Sequence, residues 1–494
     1  MPAPWVTTQS GNVAGTTRDG VTVFLGLPYA AAPVGELTFA APQPHPPWDG
    51  VRDCSVEGPT APYRLRNFPA LDLTPLLGAG WRRGDDYLAL NIWTPDVGAR
   101  GLPVMVFIHG GAHVAGCGSA PANDGAAFAR SGVVCVTLNY RLGVNGFMPI
   151  PGAPTNLGLR DQIAALAWVK ANIAAFGGDP ENVTAFGESG GAMALGCLLA
   201  SPLSKGLFRR AILQSGHGSM VRPLAVGQRL ARKFARMLGV APTLEGFRSR
   251  TVEQWLGVLE RIQLPTTRLD LRDDKGRDPG YGLGRFLPVH GDDVLPEPPL
   301  DALANGTGAE VELLIGTTAE ETNLFFVPTG VTKKVNRLMA WLVLRRSTRR
   351  AGAILKAYGL GRRGRRAGEV FGRVMDDLIF RLPARAFAAA HQGRTHVYEF
   401  DWRSPAWGGE LGACHGLEVP FVFNTLASCT GPTGIAGESP PQALADRVHG
   451  LWAGFATSGA LPWPQYDAQT RQVYLLEHGE TVTEPPIAAE RFVH

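Results

Sequence analysis

Val183-Thr184-Ala185-Phe186-Gly187-Glu188-Ser189-Gly190-Gly191 runs a short β-branched stretch directly into a G-x-S-x-G turn. Small residues two before and two after the serine let a chain reverse sharply from strand into helix. That reversal holds the serine in a strained conformation with its hydroxyl exposed. Ser189 is therefore the candidate nucleophile. A Gly-rich strand-to-helix turn can also bind nothing, so its surroundings have to decide. Upstream, Pro103-Val104-Met105-Val106-Phe107-Ile108-His109-Gly110-Gly111-Ala112 is an uninterrupted apolar run that ends in glycines, as a strand buried on both faces requires. A loop of this kind can aim backbone N–H groups at the oxyanion of a tetrahedral intermediate, where each donor is worth roughly 10² to 10³ in rate. Gly111, Ala112 and Gly190 are the candidate donors.

The chain has 494 residues, 45% of them hydrophobic and 18% charged, the proportions of a globular protein with a sizeable core. Strand-like apolar runs at 104–108, 133–138, 183–186, 211–213, 311–315 and 396–400 alternate with helical stretches such as 159–174 and 191–199. This alternation predicts an α/β fold, a mostly parallel sheet covered by helices on both faces. No Pro/Ser-rich linker or internal repeat cuts the chain, so residues 1–494 are expected to form one domain.

A net charge of +4 is too small to argue for nucleic acid as a partner. No apolar run approaches the length of a membrane span. The N-terminal residues show neither a basic region nor an apolar core of a signal peptide, which predicts a cytoplasmic protein. Six cysteines without C-x-x-C spacing argue against zinc, and no metal or cofactor is expected. The charge is uneven, however: residues 333–373 are rich in arginine and nearly free of acids. A basic helical insertion is expected over 325–375, its charges solvated along one face. The apolar block Leu338-Met339-Ala340-Trp341-Leu342-Val343-Leu344 inside it would also suit an interfacial helix or a flap over the site.

Beyond the serine turn and the His-Gly-Gly-Ala loop, the chain carries Gly26-Leu27-Pro28-Tyr29-Ala30, Leu90-Asn91-Ile92-Trp93-Thr94-Pro95, Asn139-Tyr140-Arg141-Leu142-Gly143, Asn156-Leu157-Gly158-Leu159-Arg160-Asp161-Gln162 and Phe176-Gly177-Gly178-Asp179-Pro180. Together these segments resemble the type B carboxylesterases, over nearly the whole length. The resemblance implies an α/β-hydrolase fold whose helical insertions form the walls of a gorge. It also implies a serine carboxylesterase acting through an acyl-serine intermediate on a small-molecule ester, without a cofactor, as a monomer or homodimer.

The family's acid lies in a segment matched by Gly316-Thr317-Thr318-Ala319-Glu320-Glu321, which assigns Glu321, with Glu320 as its solvated neighbour. The family's base is matched by His415 in Ala413-Cys414-His415-Gly416-Leu417-Glu418. A neutral imidazole, ordinarily titrating near ~6.5, would take the Ser189 proton and return it to the leaving alkoxide. The chain order Ser, Glu, His is that of the α/β-hydrolases. Ser215 matches a position that hydrogen-bonds near the triad, and Glu188 is expected beside it in support.

Several residues depart from the family's pattern. Leu37-Thr38-Phe39 and Asp85-Asp86-Tyr87-Leu88 lack the arginine of a usual ion pair, and Tyr87 stands where secreted relatives have a disulfide cysteine. Gly190 replaces an alanine. His113 replaces an aromatic; its nearness in sequence to the oxyanion loop would let it reach the substrate pocket and make it more polar, the alternative being that it packs as the aromatic would. A specialised lactone, carbamate or natural-product acyl hydrolase, or a transacylase, would use the same triad. A non-enzymatic adhesion ectodomain would not need a complete triad.

Overall fold

The computed structural model describes residues 3–492. Its frame is an eleven-stranded sheet. From one edge to the other the strands are Glu480–Thr483, Gln472–Leu475, Thr395–Phe400, Glu312–Thr318, Arg210–Gln214, Gly178–Glu188, Leu102–Ile108, Val134–Leu138, Ala89–Thr94, Val21–Pro28 and Thr16–Arg18. The strands from Gln472–Leu475 through Val134–Leu138 pair in parallel. Antiparallel strands finish both edges. This is the α/β-hydrolase architecture, and every strand-like run read from the sequence lies in this sheet. The antiparallel strands at the two edges, and a separate three-stranded sheet of Trp5–Thr8, Gly11–Ala14 and Val51–Asp53, are additional.

The parallel strands read as continuous apolar runs because each serves two cores, with successive side chains on opposite faces. In Leu102–Ile108, Val104, Val106 and Ile108 enter one core and Met105 and Phe107 the other. Leu313 and Ile315 divide from Leu314 in the same way. Helices Leu157–Asn172 and Gly190–Leu199 cover the first face through Leu159, Leu166, Ala194 and Leu198. Helix Gln442–Ser458 covers the second through Leu444, Val448, Trp452 and Phe455.

A third, smaller core gathers helices Arg337–Arg345, Ala351–Ala357 and Ala367–Asp376, which bury Ala340, Leu344, Ile354, Val370 and Val374. The basic stretch is thus helical, and within it helix Arg337–Arg345 is anchored by one face only.

Asp86 forms an ion pair with Arg52, whereas Asp85, which stands where the resembled segment has its glutamate, makes no ion pair among the described residues. Deeper, Arg141 clamps Asp161 through two hydrogen bonds of 2.8 and 2.7 Å with both side chains almost wholly buried. Losing either partner would strand a buried charge, a defect costing about 3–5 kcal/mol. The pair ties the loop after Val134–Leu138 to helix Leu157–Asn172.

Candidate active site

Strand Gly178–Glu188 gives way to helix Gly190–Leu199 at Ser189, whose φ of 53° and ψ of −121° are a strained conformation for a non-glycine residue. The reversal needs glycine on both sides. A Cβ on Gly191 would lie 1.9 Å from the Ile108 carbonyl oxygen, and one on Gly187 would lie 2.7 Å from the Gly191 carbonyl carbon. The Ser189 N–H donates to the Gln214 carbonyl at 2.9 Å, which pins the turn to the neighbouring strand.

Three side chains from distant parts of the chain then line up. Ser189 Oγ is 2.7 Å from His415 Nε2, and His415 Nδ1 is 2.6 Å from Glu321 Oε2. Glu321, which follows strand Glu312–Thr318, is fixed by the Thr318 N–H donating to its Oε1 at 2.9 Å. Glu320 turns outward to Arg403 and accepts the Ala413 N–H at 3.0 Å. The rings of Phe380 and Phe325 sit 5.0 and 5.4 Å from the imidazole and hold it between them.

Gly111 and Ala112 adopt φ of 103° and 54°, which turns the loop after strand Leu102–Ile108 back over the serine. Among the described residues, the N–H groups of Gly111, Ala112 and Gly190 donate to nothing. Gly190 is buried, Gly111 half-buried and Ala112 exposed, and three unpaired N–H groups gathered beside the Ser189 hydroxyl form a ready receptor for an oxyanion. A cavity of about 230 Å³ opens at this point, walled by Leu65, Leu73, Leu76, Leu77, Leu256 and Leu259. Its polar groups fall in two places, Glu188, Ser189 and His415 at the triad and Arg64, Arg66, Glu260 and Gln263 on the opposite part of the lining, with the apolar wall between them suited to an apolar substrate.

The electrostatics around His415 were not legible from the triad alone. Glu188 Oε1 lies 3.2 Å from His415 Nε2, and Glu418 is buried nearby with neither carboxylate oxygen hydrogen-bonded. Burial raises the Glu188 carboxyl well above its ordinary range, opposed by His415 and reinforced by Glu321. Burial likewise raises Glu418, with Glu188 and Glu321 adding to it. Burial disfavours the His415 imidazolium, but the Glu188 and Glu321 carboxylates outweigh it and lift the imidazole above its ordinary value. The isolated-imidazole value of the sequence reading therefore does not hold here. Glu418 is the glutamate three residues after the base in the Ala413-to-Glu418 segment on which the resemblance rests, and that position was its signal in the sequence.

Two expectations require correction. His113 does not line the cavity: it is fully buried, with Nδ1 3.0 Å from the Phe286 carbonyl and Nε2 2.9 Å from the Gly190 carbonyl, its ring tilted against Phe147 at 4.3 Å. It fills the space of an aromatic behind the oxyanion loop because the left-handed backbone at residue 113, φ 62°, turns its side chain inward. Ser215 is buried where strand Arg210–Gln214 ends, but its Oγ makes no hydrogen bond. Only its backbone is engaged, the N–H donating to Gly316 at 2.9 Å.

Possible metal ligands gather at one group among the described residues, Asp401, Glu477 and His478, and there His478 is already hydrogen-bonded to Asp401.

A strained serine on a strand-to-helix turn, backed by an imidazole and a carboxylate on an α/β-hydrolase sheet, defines the serine hydrolases of that fold. The chain belongs to the carboxylesterase family, whose model matches residues 2–491. It is 36% identical to the para-nitrobenzyl esterase of Bacillus subtilis (strain 168), over 98% of this chain and 97% of that one. It is 34% identical to the phenmedipham hydrolase of Pseudarthrobacter oxydans, over 96% and 95%. The solved structure of a thermophilic PNB esterase superposes with a TM-score of 0.84 at 33% identity, covering 100% of both chains. The protein is a carboxylic ester hydrolase. No helix of the described residues is long and apolar enough to cross a membrane.

Proposed function

We propose that Ser189, His415 and Glu321 carry the ester hydrolysis as nucleophile, general base and orienting acid. Ser189 Oγ attacks the ester carbonyl carbon while its proton passes to His415 Nε2. Glu321 holds Nδ1–H and stabilises the imidazolium. The carbonyl oxygen, now anionic, takes the N–H groups of Gly111, Ala112 and Gly190. Collapse of the intermediate breaks the C–O bond, and the departing alkoxide takes the proton from Nε2, leaving an acyl-serine. Water then repeats the sequence, giving its proton to Nε2, and the acid leaves as Ser189 recovers its own.

The observation that carries this reading is the continuous chain from Ser189 Oγ through His415 to Glu321, with bonds of 2.7 and 2.6 Å, set below three unpaired N–H groups. The leucine-lined cavity supports esters with a compact apolar or aryl group as substrates. The chain is read as one catalytic unit throughout. All six cysteines are free and buried, which supports work in a reducing compartment such as the cytoplasm.

A fluorophosphonate probe should label the protein at Ser189, and Ser189→Ala should lose both labelling and hydrolysis of p-nitrophenyl esters while keeping its melting temperature. An adduct mapped to another serine, or undiminished hydrolysis in the variant, would overturn the assignment.

A further inference from the structure

Residues 322–368 hold twelve lysines and arginines and no aspartate or glutamate. Helix Arg337–Arg345 lies in this stretch and is buried on one side only, by Ala340 and Leu344 in the third core. Its other side is apolar and open to solvent: Leu338, Met339 and Leu342 are 63%, 45% and 50% exposed. With 3.6 residues per turn these three share a face, and Arg345 and Arg346 continue it one turn on. Arg345 lies over the half-buried Trp341 ring at 5.1 Å. Lys334, Arg337, Arg345, Arg346 and Arg349 make no ion pair among the described residues, whereas Lys333 is taken up by Glu410. Exposed leucine and methionine together on a helix are costly in water, and a rim of unpaired cations around them is the pattern of a surface that meets negative charge and hydrocarbon together.

We propose that helix Arg337–Arg345 docks the esterase on the surface of an anionic lipid bilayer, with Leu338, Met339 and Leu342 entering the acyl boundary and the surrounding cations on lipid phosphates. This goes beyond the esterase reading and does not depend on it. A second copy of the chain fits the face poorly, because a two-fold contact would bring two acid-free basic patches together. Nucleic acid would satisfy the cations and leave the apolar stripe in water. The docked helix shares its core with Phe326, which stacks 5.5 Å from Phe371 and follows directly on Phe325 of the cavity wall. Docking would therefore bring the catalytic cavity close to the phase in which apolar esters dissolve.

The test is flotation of the full chain with vesicles of phosphatidylcholine alone and of phosphatidylcholine mixed with phosphatidylglycerol. Binding is expected to the mixed vesicles only, and to be lost in about 0.5 M salt, where the Debye length falls to a few ångströms. Leu338→Ser/Met339→Ser/Leu342→Ser should weaken partitioning by about tenfold or more. Arg345→Gln and Arg346→Gln should each weaken it about fivefold. All of these variants should hydrolyse a water-soluble p-nitrophenyl ester as the parent does, which shows that they fold. No binding to the mixed vesicles, equal binding to phosphatidylcholine alone, or unchanged partitioning of the triple variant would overturn the proposal. So would a dimer in sedimentation that the triple variant abolishes while vesicles stay unbound.

Discussion

Glu188→Gln is the sharpest probe of the site, because it removes one charge beside the base and little else. Glu188 Oε1 is 3.2 Å from His415 Nε2. At an effective dielectric constant of about 20, a full charge at that distance is worth about 5 kcal/mol, an upper limit of nearly 4 pH units on the imidazole. Burial raises the Glu188 carboxyl as well, so the two groups share protons and only part of that limit is realised. The base must be neutral to accept the serine proton, so kcat/KM rises with pH through the imidazole's ionisation in the free enzyme. In the parent that limb should lie above ~6.5, because carboxylates raise it. In Glu188→Gln it should move to lower pH by about one unit or more. The plateau should fall, because the lost charge also stabilised the imidazolium formed during attack. The assay is kcat/KM from pH 5 to 10 with two p-nitrophenyl esters of different acyl length, and the limb should be common to both. A limb within about 0.3 units of the parent would refute the electrostatic account, since it would leave no room for a charge at that distance.

Three further outcomes are expected. Glu321→Gln should lower kcat by roughly 10³ to 10⁴ while Glu320→Gln, whose carboxylate faces Arg403, changes it only a few-fold; steady-state kinetics with losses reversed would move the acid to Glu320. Gly191→Ala should lower thermal stability and activity together, because its methyl would lie 1.9 Å from the Ile108 carbonyl oxygen, whereas Gly190→Ala meets the Ala112 and His113 nitrogens at 3.1 Å and should keep the fold. A melting temperature for Gly191→Ala equal to the parent's would refute this. Burial pushes the Asp376 carboxyl up to about 7, so the folded state holds a proton that the unfolded state releases near ~4, and stability is lost as pH rises between those values. Asp376→Asn should therefore gain stability relative to the parent across that interval, by up to about 4 kcal/mol; a difference independent of pH in denaturant titrations would count against it.

The parallel strands were legible because each must be apolar on both faces, a demand that leaves unbroken runs such as 104–108. Strands Gln472–Leu475 and Glu480–Thr483, at one edge of the sheet, carry polar outward residues and gave no such signal. Ser189, Glu321 and His415 were legible through the segments that hold them. Of their neighbours Glu188 was expected from its place next to the serine, but the rest were not, because sequence gives residue types without distances. The fate of His113 is decided by a carbonyl 173 positions away. The burial of Glu418 beside Glu188 and Glu321, 230 and 97 positions away, is likewise decided by the fold. The leucines of the cavity come from loops and from helices Thr74–Leu77 and Val252–Ile262, in segments without a motif, where nothing local distinguishes a wall from a surface.

The close approach of Gly191 to the Ile108 and His109 carbonyls leaves no slack between the turn that carries the nucleophile and the strand that leads into the oxyanion loop. These parts are packed directly against one another. Much of the cavity wall, by contrast, is assembled from stretches around Leu65–77 and Leu256–259, neither of which contributes to the triad, while Leu324 and Val419 lie on the segments that bear Glu321 and His415. Reaction chemistry and substrate choice are thereby entrusted in large part to different stretches of the polypeptide. A lineage descended from this chain could exchange one wall for another and acquire a new ester without having to rebuild the machinery that cleaves it.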